Sequence, residues 1–315
     1  MPFETQTILP SPTGAALNLY VKQATGEARG VVHVCHGFAE HAARYARFAD
    51  DLAAAGFHVY AHDHRGHGYT KAPDAPRGRF GARDGWRLVL DDVAAVHARI
   101  AADHPGLPLI LFGHSMGGLV ALNSVLSRSD HLAGAAIWNA NFSAGIMGRL
   151  GLLILAYERF RLGSDMPSQL APKMTFAAWG KEIEGATSPA DWLSRDPVEV
   201  KRYVDDPLCG WDASVSMWQD VFALVFRGAE NDYLSAVPRD LPFNLVGGAK
   251  DPATAGGKAV EALARRMRSM GFSNLVSTIY PDTRHESLNE VNRDVITADF
   301  VAWATGVAGR FSRGR

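Results

Sequence analysis

The sequence predicts an α/β protein whose doubly wound, mostly parallel sheet is interrupted by a mostly helical insertion. Segments rich in β-forming residues alternate with helical segments from residue 31 to 139, and parallel strands require such crossover connections. The alternation stops between about residues 141 and 234, a stretch with four tryptophans and no clear buried strand, and it resumes at Phe243. A chain of 315 residues is long enough for one large domain of this kind.

The predicted elements follow from the spacing of apolar residues. Strands are expected where short runs are apolar and β-branched, at residues 31–35, 57–61, 109–112, 135–139, 243–247 and 274–279. Helices are expected where apolar residues recur every three or four positions, at residues 45–55, 85–103, 116–127, 255–271 and 289–304. The domain boundaries that follow are 1–140 for the first part of the core, 141–234 for a helical cap insertion, and 235–315 for the second part of the core.

Composition excludes several classes of protein. Hydrophobic residues make up 47% and charged residues 21%, as in an ordinary globular protein. With 32 basic against 33 acidic residues, the chain lacks the positive charge that nucleic acid binding requires. The two cysteines, Cys35 and Cys209, are too few for a disulfide framework. Residues 1–11 lack the pattern of a secretory signal and no apolar run reaches ~20 residues, so a cytoplasmic location is predicted.

The strongest chemical signal is Gly113-His114-Ser115-Met116-Gly117, between a predicted strand and a predicted helix. A Gly-x-Ser-x-Gly sequence in that context is typical of a nucleophile elbow, in which glycines leave room for close backbone approach. The serine would then project at the N-terminus of a helix, where free amides favour negative charge. Ser115 is therefore the predicted nucleophile, and a Gly-rich turn with an incidental serine is the disfavoured alternative.

A serine hydroxyl needs a base, and this kind of site has the chain order serine, acid, histidine. His285 is the one histidine of the twelve that follows the insertion, on a loop between the last predicted strand and the last predicted helix. Asp251, just past the strand at residues 243–247, is the favoured acid. Asp232, Asp240 and Asp282 are the alternatives for that position.

The negative oxygen formed during acyl transfer needs backbone donors. One amide is expected from Met116, which follows the nucleophile, and the second from Phe38 in the loop after the first predicted strand. His36, in the same loop, precedes the serine and is interpreted as a hydrogen-bonded loop histidine rather than a base.

Two further segments carry alternative interpretations. The sequence His62-Asp63-His64-Arg65-Gly66-His67-Gly68 resembles a metal cluster, but a polar loop supporting the site is favoured, and no metal or cofactor is predicted.

Residues 146–160 are apolar over more than one helical face. A helix packed on the core is the simpler interpretation; the alternative is a lid helix that exposes apolar surface to an acyl chain or makes transient contact with a membrane surface. The tryptophans of the insertion are interpreted as core.

Taken together, these motifs resemble the monoacylglycerol lipase and lysophospholipase group of α/β-hydrolases. The matching segments run in the family's order, at His36-Gly37-Phe38-Ala39-Glu40-His41, Arg44-Tyr45, Asp63-His64-Arg65-Gly66-His67-Gly68, Gly113-His114-Ser115-Met116-Gly117-Gly118, Gly248-Ala249-Lys250-Asp251-Pro252, Arg284-His285-Glu286 and Asn289-Glu290. The chain departs from the family at Tyr69-Thr70, where a basic residue followed by serine is usual.

The resemblance implies a triad of Ser115, Asp251 and His285, oxyanion amides from Phe38 and Met116, and a cap over an acyl-binding tunnel. It also implies hydrolysis of a small lipid-like ester, with monoacylglycerol or lysophospholipid as the substrate class. The alternatives are a short-chain carboxylesterase or a peptidase of the same fold. A non-catalytic binding protein is disfavoured because serine, acid and histidine are all present.

Overall fold

The computed structural model describes residues 3–143 and 145–313, which form one eight-stranded sheet with helices on both faces. The strands are β1 (Thr5–Pro10), β2 (Ala16–Lys22), β3 (Gly30–Cys35), β4 (Phe57–His62), β5 (Leu109–His114), β6 (Gly134–Trp138), β7 (Phe243–Gly248) and β8 (Leu275–Tyr280). Their order in the sheet is β1-β2-β4-β3-β5-β6-β7-β8. β3 to β8 pair in parallel, and β1 and β2 add antiparallel pairs at one edge.

This topology confirms the predicted doubly wound, mostly parallel fold. The six predicted strands are present, with ends displaced by at most two residues. The sequence analysis did not identify β1 or β2. β1 is a mostly exposed edge strand, and β2 carries a polar residue, Asn18, that is buried because its side-chain amide donates to the Asp63 carboxylate at 2.8 Å.

Five helices cover the two faces of the sheet. They are α1 (Ala46–Ala54), α2 (Gly85–Asp103), α3 (Met116–Ser127), α10 (Lys258–Ser269) and α11 (Arg293–Arg313). Successive strand residues point to opposite faces. In β5, Leu109 and Leu111 pack with α2, α3 and α10, whereas Ile110 and Phe112 pack with α1 and α11.

Two helices begin three or more residues later than the sequence predicted. α10 was expected from Ala255, but residues 255–257 have positive φ angles of 53°, 67° and 81°, which an α-helix does not contain. α11 was expected from Asn289, which instead ends a 3₁₀ turn (Ser287–Asn289), and the helix extends beyond the predicted end at Ala304.

Between β6 and β7 the described chain is helical and contains no strand. Its helices are α4 (Ile146–Leu162), α5 (Ala171–Met174), α6 (Phe176–Lys181), α7 (Pro197–Asp205), α8 (Val215–Ala229) and α9 (Asn231–Ser235). We call this segment the insertion. The domain boundaries at residues 141 and 234 stay a prediction. None of the described helices combines the length and apolarity needed to cross a lipid bilayer.

Candidate active site

Ser115 lies at a sharp turn between β5 and α3. Its backbone has φ 54° and ψ −119°, a conformation that L-residues rarely adopt. The two motif glycines make the turn possible, because a Cβ at Gly113 would lie 2.1 Å from the Gly117 carbonyl oxygen. A Cβ at Gly117 would lie 2.0 Å from the Cys35 carbonyl oxygen. The turn therefore requires glycine at both positions, and it presents the Ser115 hydroxyl at the N-terminus of α3.

Replacing Gly117 with alanine is expected to lower the free energy of unfolding by about 3 kcal/mol, because the atom that the new Cβ meets belongs to the β3 backbone and has little room to move. Urea denaturation measures this change. The matched control is Gly306→Ala in α11, where a Cβ would meet no described atom within 4 Å. That variant is expected to be up to about 1 kcal/mol more stable. Equal stabilities of the two variants would contradict the close approach at Gly117.

Three side chains from distant parts of the chain form one hydrogen-bonded series. His285, on the loop after β8, has its Nε2 atom 2.8 Å from the Ser115 hydroxyl oxygen. Its Nδ1 atom lies 3.0 Å from each carboxylate oxygen of Asp251, which follows β7. The structure thus brings together the three residues that the sequence analysis selected, at the carboxyl ends of β5, β7 and β8.

Asp251 is fully buried, and its carboxylate accepts several hydrogen bonds from protein groups. Its carboxylate accepts hydrogen bonds from the Ala253 amide (2.9 Å), the Asn139 side chain (3.1 Å) and the Thr254 hydroxyl (2.8 Å). Burial by itself raises the pKa of this carboxyl, but the charge and hydrogen bond of His285, together with Asn139 and Thr254, bring the pKa below its usual value. Asp251 is therefore an ionised partner for His285.

The alternative acids are far less suited to orient a histidine. Asp232, Asp240 and Asp282 are all exposed, and Asp282 pairs with Lys250 at 2.8 Å.

The two residues whose amides are expected to bind an oxyanion lie at the same cavity as Ser115. Met116 is the first residue of α3, Phe38 follows β3, and both line the cavity that contains Ser115. Within residues 3–143 and 145–313, neither amide donates a hydrogen bond to another protein group. Both amides are consequently free to donate to a substrate oxygen.

A cavity of about 330 Å³ opens above Ser115 and His285. The insertion supplies most of its wall, through the apolar side chains of Ile154, Leu155, Met174, Phe176, Trp179, Trp218, Val221, Phe222 and Val225. Among the described residues that line it, none is acidic and none is a lysine or arginine. Such a cavity suits an uncharged, apolar ligand with one polar group at the serine end.

The interpretation of the insertion's tryptophans as core is confirmed for Trp192 and Trp218, which are buried in apolar clusters, but two of the four tryptophans also line the cavity. Trp179 and Trp218 line the cavity, and the ring of Trp192 packs against the ring of His285 with centroids 4.8 Å apart. Helix periodicity gave no signal for this difference, because a cavity wall and a core face have the same apolar spacing.

The His62–Gly68 segment forms a tightly hydrogen-bonded loop. The Asp63 carboxylate accepts from the amides of Ala42 (2.8 Å) and Tyr69 (2.9 Å). Thr70 lies where the sequence differs from the usual family pattern. Its hydroxyl donates to the Asp63 carbonyl at 2.6 Å and accepts from the backbone amide of Asn18 at 2.9 Å.

The histidines of this loop do not gather around a common point. The His64 amide donates to Nε2 of His36 at 2.9 Å, while His62 contacts His33 at 2.9 Å. In the described part of the chain, the donor atoms of His62, Asp63, His64 and His67 do not form a group that could share a metal ion. These contacts fit the interpretation of the segment as a supporting loop, and that of His36 as a hydrogen-bonded loop histidine.

Comparison with known proteins places the chain in a family. The sequence model of the Hydrolase_4 family, described as serine aminopeptidase, S33, matches residues 26–292. The chain belongs to this α/β-hydrolase family.

Two relatives of this chain are lipases by name. It is 30% identical to a monoacylglycerol lipase of Mycolicibacterium smegmatis over 87% of this chain and 88% of the relative. It is 27% identical to the human monoglyceride lipase over 80% of this chain and 75% of the relative. These matches confirm the predicted resemblance and the prediction of a hydrolase of the lipase and esterase type.

The fold is shared with solved esterases. A thermostable carboxyl esterase from Bacillus coagulans superposes with a TM-score of 0.88 over 96% of this chain and 98% of its own, at 23% identity. At that identity the likeness establishes the α/β-hydrolase fold and nothing finer.

A buried polar network beside Ser115 and His285 was not assigned from the sequence. Nε2 of His114, the residue before the serine, lies 2.9 Å from the His285 carbonyl oxygen. On its other side His114 meets the Tyr45 hydroxyl (3.2 Å) and the Glu40 carboxylate (3.7 Å). Burial lowers the pKa of His114, but the Glu40 and Glu286 carboxylates and the His285 carbonyl together raise that pKa above its usual value.

Glu40 also connects this network to the Phe38 loop. Its carboxylate accepts the Gly37 amide at 2.5 Å, and Arg44 bridges it to Glu286, donating to both Glu286 oxygens at 2.7 and 2.8 Å. The network thereby links the serine turn, the Phe38 loop and the His285 loop. The sequence contained one signal for this network: three charged residues, Glu40, Arg44 and Glu286, lie within the family motifs. Their spacing along the chain did not show that they form ion pairs.

Proposed function

We propose that this chain hydrolyses carboxylic esters of lipid-like acyl chains, monoacylglycerols among them, through an acyl-enzyme on Ser115. The observation that carries the proposal is the series Ser115–His285–Asp251 at the polar end of an apolar cavity. The names of the relatives, which are monoacylglycerol and monoglyceride lipases, support the choice of ester. We further propose that the insertion acts as a cap, since its helices supply most of the cavity wall.

In the first step, His285 Nε2 takes the proton of the Ser115 hydroxyl as the hydroxyl oxygen bonds to the ester carbonyl carbon. The carbonyl electron pair moves to its oxygen, where the amides of Phe38 and Met116 donate hydrogen bonds. Asp251 holds the histidine tautomer with its proton on Nδ1 and stabilises the imidazolium. The carbonyl then re-forms, the ester C–O bond breaks, and the departing alcohol takes the proton from His285.

In the second step, water replaces the alcohol. His285 takes a proton from water as its oxygen attacks the acyl-serine carbonyl, and the same two amides stabilise the second oxyanion. Breaking the acyl–oxygen bond returns the proton to Ser115 and releases the carboxylic acid.

The acyl-chain preference is the most direct test of this proposal. With p-nitrophenyl esters from acetate to palmitate, kcat/KM is expected to rise by about 100-fold between acetate and octanoate, because each buried methylene contributes up to ~0.8 kcal/mol. Val225→Trp, which narrows the cavity, is expected to shift the optimum to shorter chains without lowering acetate turnover. Turnover confined to acetate and butyrate would instead identify a short-chain carboxylesterase.

One observation supports a peptidase as the second candidate function: the family is described as serine aminopeptidase, S33. An aminopeptidase must bind a free α-ammonium group, which in a buried site requires a carboxylate or several carbonyl oxygens. The described lining offers no carboxylate. Turnover of aminoacyl p-nitroanilides at rates comparable to the best ester would overturn the esterase proposal. Failure of a fluorophosphonate to label Ser115 would instead favour a non-catalytic binding protein.

We also propose that α4 makes transient contact with a membrane surface. Five large side chains recur along its outer face at intervals of four and three residues: Ile146 (84% exposed), Leu150 (42%), Leu153 (69%), Tyr157 (58%) and Phe160 (89%). The opposite face, including Gly151, Ile154 and Leu155, lines the cavity. Docking α4 on a lipid surface would therefore bring the cavity wall close to lipid esters.

The double variant Leu153→Glu with Phe160→Glu is expected to bind vesicles of phosphatidylcholine and phosphatidylglycerol at least tenfold more weakly than wild type. Each side chain would otherwise leave water on binding, a gain of about 1.5–3 kcal/mol when burial is complete. Vesicle co-sedimentation measures the change. Val295→Glu on α11, 60% exposed and outside the insertion, is the matched control. Undiminished binding by the double variant would exclude α4 as the contact.

A cytoplasmic location is proposed as well. It is supported by the two cysteines, Cys35 and Cys209, which are both free thiols and thus compatible with a reducing compartment.

A further inference from the structure

Three potential metal ligands converge beside the Phe38 loop. His41 follows that loop, and Asp206 and Cys209 lie in the turn after α7. One donor atom from each residue, a ring nitrogen, a carboxylate oxygen and the thiol sulfur, falls within 4.8 Å of the other two. Within the described residues, this is the one group of three or more histidine, cysteine or acidic side chains arranged closely enough to share a metal ion.

The spacing is close to that of a tetrahedral metal site. Zinc bonds of about 2.0–2.3 Å place neighbouring ligand atoms roughly 3.3–3.6 Å apart. His41 Nε2 and Asp206 Oδ2 are 2.9 Å apart, and the Cys209 sulfur lies within 4.8 Å of a ligand atom of each, so the turn would have to move inward for all three to bond one ion. Among described residues, Asp206 is the one hydrogen-bond partner of the His41 ring. It contacts Nε2, and the Nδ1 atom of His41 is buried without a partner. A cation would therefore replace a single hydrogen bond.

The surroundings favour a cation. Arg44, the cation that acts on Cys209, is ion-paired with both Glu40 and Glu286, and Asp206 adds a third carboxylate beside the thiol. Asp206 and Cys209 are partly exposed, so an ion has a path from solvent and a water molecule can complete its coordination.

We propose that His41, Asp206 and Cys209 bind one divalent transition-metal ion of the zinc type, with water as the fourth ligand. Nitrogen, thiolate and carboxylate ligands are the set that zinc accepts, whereas magnesium and calcium prefer oxygen alone. On binding, the Cys209 thiol gives its proton to solvent and its sulfur bonds to the metal, and the His41 ring proton resides on Nδ1 so that Nε2 bonds to the metal.

The site would fasten the loop that carries Phe38. The Gly210 amide donates to the Ala39 carbonyl at 2.9 Å, and the Tyr203 hydroxyl donates to the same oxygen at 3.4 Å. Ala39 has a positive φ of 51° and directly follows Phe38. A metal ion joining His41 to the turn at residues 206–209 would add a strong connection between the same two segments. Metal binding is therefore expected to stabilise the folded state.

Cobalt(II) is the probe of choice because a thiolate ligand gives it a charge-transfer band in the near ultraviolet. Titration of the full-length protein with Co²⁺ is expected to produce this band at one ion per chain, and Zn²⁺ is expected to abolish it by displacement. Cys209→Ser should remove the band, and His41→Gln should weaken Co²⁺ binding at least tenfold. Asp205→Asn, one residue before the proposed ligand and exposed, is the matched control and should behave as wild type.

Thermal unfolding provides the second measurement. Zn²⁺ at about 100 times its Kd is expected to raise the Tm by about 4 °C in wild type and in Asp205→Asn, but not in Cys209→Ser. Circular dichroism of each variant without metal verifies that it is folded. A wild-type protein without the Co²⁺ band, or a band that survives in Cys209→Ser, would overturn the proposal. Neither readout depends on ester turnover, so the metal site and the proposed hydrolase function fail or succeed separately.

Discussion

Replacing Ser115 with alanine is expected to lower kcat on p-nitrophenyl octanoate by about 10⁴-fold or more, equivalent to at least about 5.5 kcal/mol of transition-state stabilisation. The variant keeps the cavity, the oxyanion amides and the His285–Asp251 pair, so it should bind substrate but have no oxygen with which to form the acyl-enzyme. The residual rate would reflect positioning of water and substrate alone.

The matched control for this variant is Ser143→Ala. Ser143 lines the same cavity, but its side chain is exposed and takes no part in the Ser115–His285–Asp251 series. Its kcat should stay within about threefold of wild type, since surface substitutions typically cost under ~0.5 kcal/mol. Fluorophosphonate labelling should be lost in Ser115→Ala and kept in Ser143→Ala. Near-normal turnover by Ser115→Ala would remove Ser115 as nucleophile.

Replacing Asp251 with asparagine is expected to lower kcat by about 10⁴-fold, as removal of the orienting carboxylate does in serine triads generally. The asparagine side chain is similar in size, but its NH₂ group would face the Asn139 amide, the Thr254 hydroxyl or the His285 Nδ1–H, all of which now donate to the carboxylate. His285 would then favour the tautomer with its proton on Nε2, which is unable to accept the Ser115 proton.

Steady-state kinetics with octanoate ester measures the loss, and Asp282→Asn is the matched control because Asp282 was the alternative acid close to His285 in sequence. Its carboxylate pairs with Lys250 at the surface, so turnover should be unchanged. A large loss in Asp282→Asn together with a small loss in Asp251→Asn would exchange the two assignments.

Much of this architecture was predictable from local sequence. The parallel strands are short buried runs, so their positions were found within two residues. Ser115 and His285 were found because a glycine-flanked serine after a strand is a local pattern and the chain order left a single downstream histidine. The structure brings them within hydrogen-bond distance.

The features that could not be predicted from the sequence depend on contacts between residues that are distant in the chain. Asn139 directly follows β6, and nothing in its neighbours indicates that its amide donates to Asp251 while its oxygen accepts from the Ser287 hydroxyl at 2.8 Å. The contact between His114 and the His285 carbonyl joins positions 171 residues apart. β1 and β2 were missed for the same reason, since their pairing with the parallel sheet determines their structure and their composition is partly polar.

The origin of the cavity wall has an evolutionary consequence. Ser115, Asp251, His285, Phe38 and Met116 all lie outside the insertion, whereas the insertion supplies most of the apolar wall. Mutations in α4 to α9 can alter which ester fits without touching the groups proposed to break it. Selection can therefore diversify substrate range while the reaction stays the same.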